Sequence, residues 1–322
     1  MSLDQPDWAD PQLATLTTDW FSDPQWIFER KLDGERCLAF GRGREIQLLT
    51  RNKKSANGAY PELAEALAAQ EADDFIVDGE VVALDGPQTS FPLLQQRIHV
   101  QHPTEELRKR IPVYYYLFDI LFFDGADVRP LPLRERKEML RQAFTFDDPL
   151  RFTTHRNTDG AEFIKQACRD GWEGLIAKRA DAPYHAGRSK DWLKFKCQGG
   201  QEFVIGGYTD PQGARTDFGA LLLGYHDAQG KLVYAGKVGT GFDHERLHEI
   251  HQEMARLERA TPAFDVGHLP HTGVHWVEPQ LVGEVGFSEW TPDGQLRHPR
   301  FKGLRDDKAA HEVVREDPQA AS

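Results

Sequence analysis

The sequence predicts an α+β protein in two parts, a mixed domain with largely antiparallel sheets followed by a small β-barrel. Three observations carry that prediction. The first two-thirds of the 322-residue chain alternates strand-like and helix-like stretches. Gln198-Gly199-Gly200-Gln201 then breaks the pattern, and two adjacent glycines between strand-like runs suit a hinge. Beyond it lie short strand-like runs and one helical stretch, the proportions of an OB-fold barrel. The expected boundaries are a first domain over 1–198, a barrel over 199–311 and a flexible polar tail over 312–322.

Each element has a local reason. Trp26 to Lys31, Cys37 to Phe40 and Ile46 to Thr50 read as strands with glycine-containing turns between them. Pro61 to Gln70 reads as a helix with proline in its first turn. Phe75 to Leu84 and Val113 to Phe118 are β-rich. The longest near-apolar run, Ile111 to Phe123, is interrupted by Asp119 and is too short to span a bilayer, so it reads as a buried strand. Leu133 to Phe144 and Ala161 to Arg169 read as amphipathic helices, and Gly174 to Lys178 and Trp192 to Lys196 as strands. In the second part, Phe203 to Tyr208, Ala220 to Tyr225, Leu232 to Val238 and Val282 to Phe287 are strand-like, and Asp243 to Ala260 is helical.

A chain that is 39% hydrophobic and 28% charged suits a globular protein of about two domains. Met1 to Pro11 carries acidic residues and no apolar core, unlike a secretory signal. Cys37, Cys168 and Cys197 are widely spaced and form no metal motif. Their odd number argues against a disulfide framework, so a reduced, cytoplasmic protein is expected. A monomer with no membrane association is expected as well. The net charge of −12 by itself argues against nucleic-acid binding. Binding depends on local charge, however. Basic residues gather at Lys178, Arg179, Arg188, Lys190, Lys194 and Lys196, and again at Arg297, Arg300, Lys302, Arg305 and Lys308.

The chemistry starts at Lys31-Leu32-Asp33-Gly34-Glu35-Arg36. A lysine ending a strand, before a tight Asp-Gly turn, can project into a cleft from a rigid element. About one free lysine in 2,500 is unprotonated at pH 7, so a nucleophilic lysine needs nearby cations or desolvation to lower its pKa. Alone, the motif suits a solvated hairpin lysine equally well. Asp78-Gly79-Glu80 sits in an apolar strand, Glu173 and Lys178 stand at the two ends of another, and Lys194 and Lys196 alternate onto one strand face. Carboxylates can hold a hard cation and same-face lysines can hold phosphate. Singly, each is also what a structural carboxylate or a solvated strand face looks like. Their order in the chain tips the balance.

That order resembles the motifs of the covalent nucleotidyltransferases, the superfamily of ATP-dependent ligases and mRNA capping enzymes. Lys31 to Arg36 is similar to motif I, Thr50-Arg51 followed by Tyr60-Pro61-Glu62 to motif Ia, and Asp78-Gly79-Glu80 to motif III. Leu117-Phe118-Asp119 is similar to motif IIIa, Glu173 to Lys178 to motif IV, and Trp192 to Lys196 to motif V. Arg297 to Lys308 is similar to motif VI of the ligase domain of bacterial DNA-repair ligase D and its free-standing relatives. The likeness runs from about Trp20 to Lys308.

The resemblance implies a nucleotidyltransferase domain followed by an OB-fold, and an ATP-dependent DNA ligase that seals nicks in duplex DNA during repair. Lys31 would carry AMP. Glu29 would contact the adenine side, Phe118 would stack on the purine, and Glu80 and Arg36 would hold the ribose. Asp33 and Lys178 would border the nucleotide, and Arg51 would hold it or the 5′-phosphate of the nick. Glu173, with Glu80, would hold Mg²⁺ or Mn²⁺. Lys194 and Lys196 would grip the α-phosphate. Arg305 and Lys308 would grip the departing pyrophosphate, with Gly199-Gly200 as the hinge that brings their domain over the nucleotide. Only ~30 residues precede Lys31, too few for an additional DNA-binding or nicotinamide-recognising domain, which favours ATP as the cofactor. A DNA-end-binding partner such as bacterial Ku is expected by analogy.

Two alternatives stay open here. An RNA ligase or capping-type enzyme shares motif I and several later motifs. His244-Glu245-Arg246-Leu247-His248 matches the H-E-x-x-H zinc pattern on an expected helix, although no third ligand follows at a protease spacing.

Overall fold

The structure, a computed structural model, describes residues 3–197, 199–211, 213, 216–305 and 308–316. It divides into two compact units after Cys197. In chain order the first holds β1 (Gln12–Leu16), β2 (Trp26–Arg30), β3 (Glu35–Arg42), β4 (Glu45–Thr50), α1 (Pro61–Ala68), β5 (Asp74–Asp85), β6 (Gln88–Thr89), α2 (Phe91–Ile98), α3 (Glu105–Arg110), β7 (Val113–Phe123), β8 (Ala126–Asp127), α4 (Leu133–Ala143), β9 (Leu150–Phe152), β10 (His155–Arg156), α5 (Gly160–Arg169), β11 (Gly174–Arg179) and β12 (Gly187–Lys196). These strands form two sheets. One has the order β1-β12-β11-β2-β10. The other has the order β4-β3-β5-β7-β8, with β6 on β5 and β9 on β7. β1 joins β12 and β9 joins β7 in parallel, and the central pairs are antiparallel.

The two sheets face each other. The larger sheet is apolar on both faces, so its strands read as near-continuous apolar runs rather than alternating ones. Cys37, Ala39, Val77 and Val81 pack outward against Leu63 and Leu67 of α1 and Leu94 of α2. Leu38, Phe40, Ile76 and Phe118 pack inward against Tyr184 and Trp192 of the smaller sheet's side. The smaller sheet buries its other face, Phe28, Leu175, Ala177, Leu193 and Phe195, against Phe163, Ile164 and Ala167 of α5. By alternation, Glu29, Ile176, Lys178, Trp192, Lys194 and Lys196 are left for the face between the sheets.

The cysteines differ from the expectation. Cys168, at the end of α5, is bonded to Cys197 just beyond β12, with the Cα atoms 5.2 Å apart; Cys37 takes no part in a disulfide and is buried. Packing of α5 on the smaller sheet brings together two residues 29 positions apart, which the spacing alone did not show.

The second unit holds β13 (Gly200–Thr209), β14 (Leu221–His226), β15 (Leu232–Val238), α6 (His244–Ala255), β16 (Glu258–Arg259), β17 (Val274–Val277), β18 (Val282–Gly286), β19 (Glu289–Trp290), β20 (Leu296–Arg297) and β21 (Arg300–Leu304). β13 is its hub and pairs antiparallel with β14, β17 and β18. Phe203, Ile205, Leu221, Leu223 and Phe301 enclose a core with Leu247, Ile250 and Met254 of α6. The tail is packed at its start. Val313 is buried, its carbonyl accepts from the His226 amide at 2.7 Å, and the Gln201 side chain bonds the backbone of Val314 and Glu316. One apolar residue in a polar stretch anchors what composition alone reads as loose. Among the described residues, no helix is long and apolar enough to cross a membrane.

Candidate active site

Lys31 leaves β2 with its amide donating to the Gly174 carbonyl at 2.9 Å. Its ammonium lies 2.5 Å from Glu173 Oε1, and both side chains are mostly buried. Gly174 is in register with Lys196, and the Cys197 amide donates to the Glu173 carbonyl at 3.0 Å. Three residues from distant parts of the chain, Lys31, Glu173 and Lys196, therefore share one end of the smaller sheet. Two glycines permit this. Gly174 has φ +153°, and a Cβ there would stand 1.9 Å from the Phe195 carbonyl oxygen. A Cβ on Gly34 would stand 2.2 Å from the Val81 carbonyl oxygen, so close backbone approach requires the motif glycine, more than the turn does. Asp33 is placed through its amide, which donates to Thr89 Oγ1 at 3.2 Å.

Deeper in the cleft, Glu29 is a buried carboxylate between two lysines. Lys137 Nζ is 2.5 Å from one oxygen and Lys178 Nζ 2.6 Å from the other. Burial alone would raise the Glu29 pKa, but the two ammonium groups outweigh it and hold it below the usual carboxylate range. Burial pushes the Lys178 pKa down to about 8, with Glu29 opposing. Lys137 also donates to the Thr153 carbonyl at 3.0 Å and reaches the Phe118 carbonyl at 3.4 Å.

Arg36 holds Asp78 in a two-pronged ion pair, Nε to Oδ1 at 2.5 Å and Nη2 to Oδ2 at 2.6 Å. The Tyr184 hydroxyl donates to the same carboxylate at 2.6 Å. Burial opposes the Arg36 charge, but Asp78 more than compensates and raises its pKa. Expected on the ribose, Arg36 is thus engaged with Asp78 here. Expected as a stacking platform, Phe118 is 7% exposed. The Arg36 guanidinium lies 4.6 Å from its ring centre and Lys178 Nζ 4.1 Å, so a purine stacking there meets those cations first. Glu80 stands on β5 in register with Arg36 and Tyr116. Arg51 lies in the turn after β4, on the sheet opposite Lys31.

The basic run around β12 is not one exposed face, because Lys178 is buried on Glu29. In the second unit, the cross-strand pair Glu202 and Glu284 gathers the motif VI cations. Arg305 and Lys302 lie 3.0 and 3.1 Å from Glu284, and Lys308 lies 3.3 Å from Glu202. Asp306 and Asp307 lie outside the described residues. His244 and His248 are on α6, and His248 pairs with Asp217 at 3.1 Å. Among the described residues, no group of three or more His, Cys, Asp or Glu is placed to hold a metal. A hard cation that keeps water and substrate phosphate in its shell needs fewer protein ligands. Glu173 suits it, since Oε2 is buried with no hydrogen-bond partner among the described residues.

Sequence reasoning missed Lys137 and Thr153. A signal for Lys137 existed. Leu133, Arg136, Lys137 and Leu140 follow one helical stripe, and all four are buried, Arg136 on Asp119 at 2.8 Å and Lys137 on Glu29.

Three comparisons bear on this arrangement. Residues 11–196 match the ATP dependent DNA ligase domain, and residues 214–308 match the ATP dependent DNA ligase C terminal region. The multifunctional non-homologous end joining protein LigD of Pseudomonas aeruginosa is 39% identical over 319 residues, covering 97% of this chain and 37% of that protein. A DNA ligase of Thermococcus fumicolans is 30% identical over 303 residues, covering 89% of this chain and 53% of that protein. The chain thus spans less than two thirds of either relative. A solved mycobacterial DNA ligase D complexed with ATP and MES superposes with a TM-score of 0.67 at 34% identity, covering 95% of this chain and 98% of that one.

Proposed function

The chain belongs to the ATP-dependent DNA ligases, and from that premise we propose that it seals 5′-phosphate/3′-hydroxyl nicks in duplex DNA by way of an AMP carried on Lys31. The observation that carries the assignment is the convergence of Lys31, Glu173 and Lys196 at one end of the cleft. In the first step the Lys31 amine, its proton lost, attacks the α-phosphorus of ATP. The N–P bond forms, the bond to the β-phosphate oxygen breaks, and pyrophosphate leaves. In the second step an oxygen of the nick's 5′-phosphate takes the AMP and Lys31 recovers its proton. In the third the 3′-hydroxyl attacks the activated 5′-phosphate and AMP departs.

These are phosphoryl transfers, in which positioning and charge neutralisation do most of the work. Lys194 and Lys196 hold the α-phosphate, Arg305 and Lys308 act on the pyrophosphate, and Gly199-Gly200 is the pivot between the two domains. Glu173, with Glu80 as a second candidate, would hold Mg²⁺ or Mn²⁺, which supplies further neutralisation of phosphate charge. Glu29 faces the base, and Phe118 flanks it together with the Arg36 and Lys178 cations that lie against its ring. The matches are to DNA-ligase families, and no observation favours the RNA-directed alternative.

Relatives named for non-homologous end joining support a role in cytoplasmic DNA-break repair. A chain with net charge −12 would there be helped to DNA by an end-binding partner of the bacterial Ku kind. Intact mass after incubation with ATP and Mg²⁺ tests the central claim. The protein should gain one AMP and Lys31→Ala should gain none; AMP on the variant would move the nucleophile elsewhere.

A further inference from the structure

We propose that Lys137 and Thr153, which belong to no ligase motif named above, set the enzyme's selectivity for adenine: Lys137 as a positioning residue for Glu29, and Thr153 as a contact to the base. The proposal rests on the reading of Lys31 as the AMP carrier.

Four observations carry it. Glu29 lies in β2 two residues before Lys31, which directly follows the strand, so by alternation both side chains face the cleft about 7 Å apart. A nucleotide whose α-phosphorus meets Lys31 therefore has Glu29 within reach of its distal part. Second, Lys137 fastens three separate segments at once: Glu29 of β2, the Phe118 carbonyl of β7 and the Thr153 carbonyl after β9. Third, the same corner holds a buried hydroxyl with no hydrogen-bond partner among the described residues, Thr153 Oγ1. Beside it the Lys178 ammonium is paired with Glu29 at 2.6 Å. Fourth, the corner is walled by the Phe118 and Trp192 rings, each about 4 Å from Lys178 Nζ. A buried polar atom without a partner is costly, and beside aromatic faces it describes a site for a flat, polar-edged group.

The selectivity follows from donor and acceptor chemistry. An ionised carboxylate only accepts hydrogen bonds. Held by two cations, Glu29 stays ionised and suits the 6-amino group of adenine. The 6-carbonyl of guanine or hypoxanthine would meet it lone pair to lone pair. Thr153 Oγ1 and Lys178 can donate to adenine ring nitrogens. Without Lys137, Glu29 keeps one cation and loses its tether to the Phe118 and Thr153 segments. A site built to hydrogen-bond one ligand group discriminates strongly only while its polar atoms are held in place.

The test measures self-adenylylation rates of the full chain against triphosphate concentration, using ATP, ITP and the 6-unsubstituted purine analogue. Wild type should prefer ATP over both by at least about tenfold. Lys137→Met should raise KM for ATP about tenfold or more, with a smaller change in kcat, and should lower the ATP preference over the analogue by a similar factor. Lys137→Arg, which keeps the charge, should recover part of both. Thr153→Val, nearly the same size, should raise KM severalfold and lower the preference for ATP over ITP, whose ring N1 carries a hydrogen and cannot accept, without a large change in melting temperature. Should Lys137→Met fail to fold, Thr153→Val and Lys137→Arg decide. Unchanged KM and unchanged base preference in the folded variants overturn the proposal. Equal losses with all three nucleotides do so as well, since a purely structural role predicts that. Failure of wild type to take up AMP would instead sink the Lys31 reading.

Discussion

Replacing Asp78 with Asn tests whether the buried pair with Arg36 is a structural support of the nucleotide cleft. The Asp78 side chain is fully buried and that of Arg36 is 18% exposed. The substitution keeps shape, and its amide oxygen can still accept from the Tyr184 hydroxyl. What it removes is the charge facing the guanidinium. Breaking a buried ion pair on one side costs about 3–5 kcal/mol, because the remaining charge is left in a poor solvent. Residual exposure of Arg36 places the expectation at the low end, about 3 kcal/mol. In a domain of this size each kcal/mol moves the melting temperature by roughly 2–4 °C, so Asp78→Asn should lower it by about 6–12 °C. The guanidinium also lies against Phe118 and Trp192, so its release should disturb the base side and raise KM for ATP. The assay combines thermal unfolding with a cycle of Asp78→Asn, Arg36→Met and the double variant. The double variant should be more stable than the sum of the singles predicts, by about 2 kcal/mol. A loss under 2 °C, or additive losses, would refute this account of the pair.

Other outcomes follow from the same geometry. Glu173→Ala and Lys196→Ala should each slow lysyl-AMP formation about 100-fold or more, the scale of losing one group that stabilises transition-state charge; a normal rate in either removes that residue from the site. Arg305→Ala and Lys308→Ala should impair reaction with ATP far more than sealing of a nick already carrying 5′-AMP. Equal loss in the two assays would contradict a role at the pyrophosphate. The Lys178 pKa is pushed down to about 8 from an ordinary 10.5, so between those values the unfolded chain binds the extra proton. Its contribution to stability is therefore fully present above 10.5 and is lost as pH falls toward 8. Melting curves from pH 7.5 to 10.5 should show wild type gaining on Lys178→Met as pH rises; parallel curves would contradict it.

Regular alternation made the motif-bearing strands legible. β2, β11 and β12 carry one apolar face against α5 and one chemical face toward the cleft, a pattern visible in the residues themselves. Asp78 and Asp119 were visible as charges in apolar strands, but their partners, Arg36 and Arg136, are 42 and 17 residues away, and only the fold says which cation arrives. α4 hid its role because a run such as Arg134-Glu135-Arg136-Lys137 usually marks a solvated face, whereas here half of it turns inward. α2 carries its proline in the first turn, where helices tolerate it, behind a Ser90 cap. The cysteine pair was illegible for a simpler reason: three cysteines allow three pairings or none, and sequence does not rank them.

β1 went unnoticed as well, a short run of moderate polarity. It lies parallel along β12, the strand carrying Lys194 and Lys196, with Thr15 Oγ1 bonded to the Ser189 carbonyl and the Thr17 amide to that of Lys194. β12 would otherwise be the unpaired border of its sheet, with Trp192, Leu193 and Phe195 beside open backbone donors and acceptors. Such a border is a template for a strand from another molecule. A chain lacking residues 1–18 would offer it, and the copies that first paired there would do so across the strand carrying Lys194 and Lys196, so loss of solubility and loss of adenylylation would arrive together.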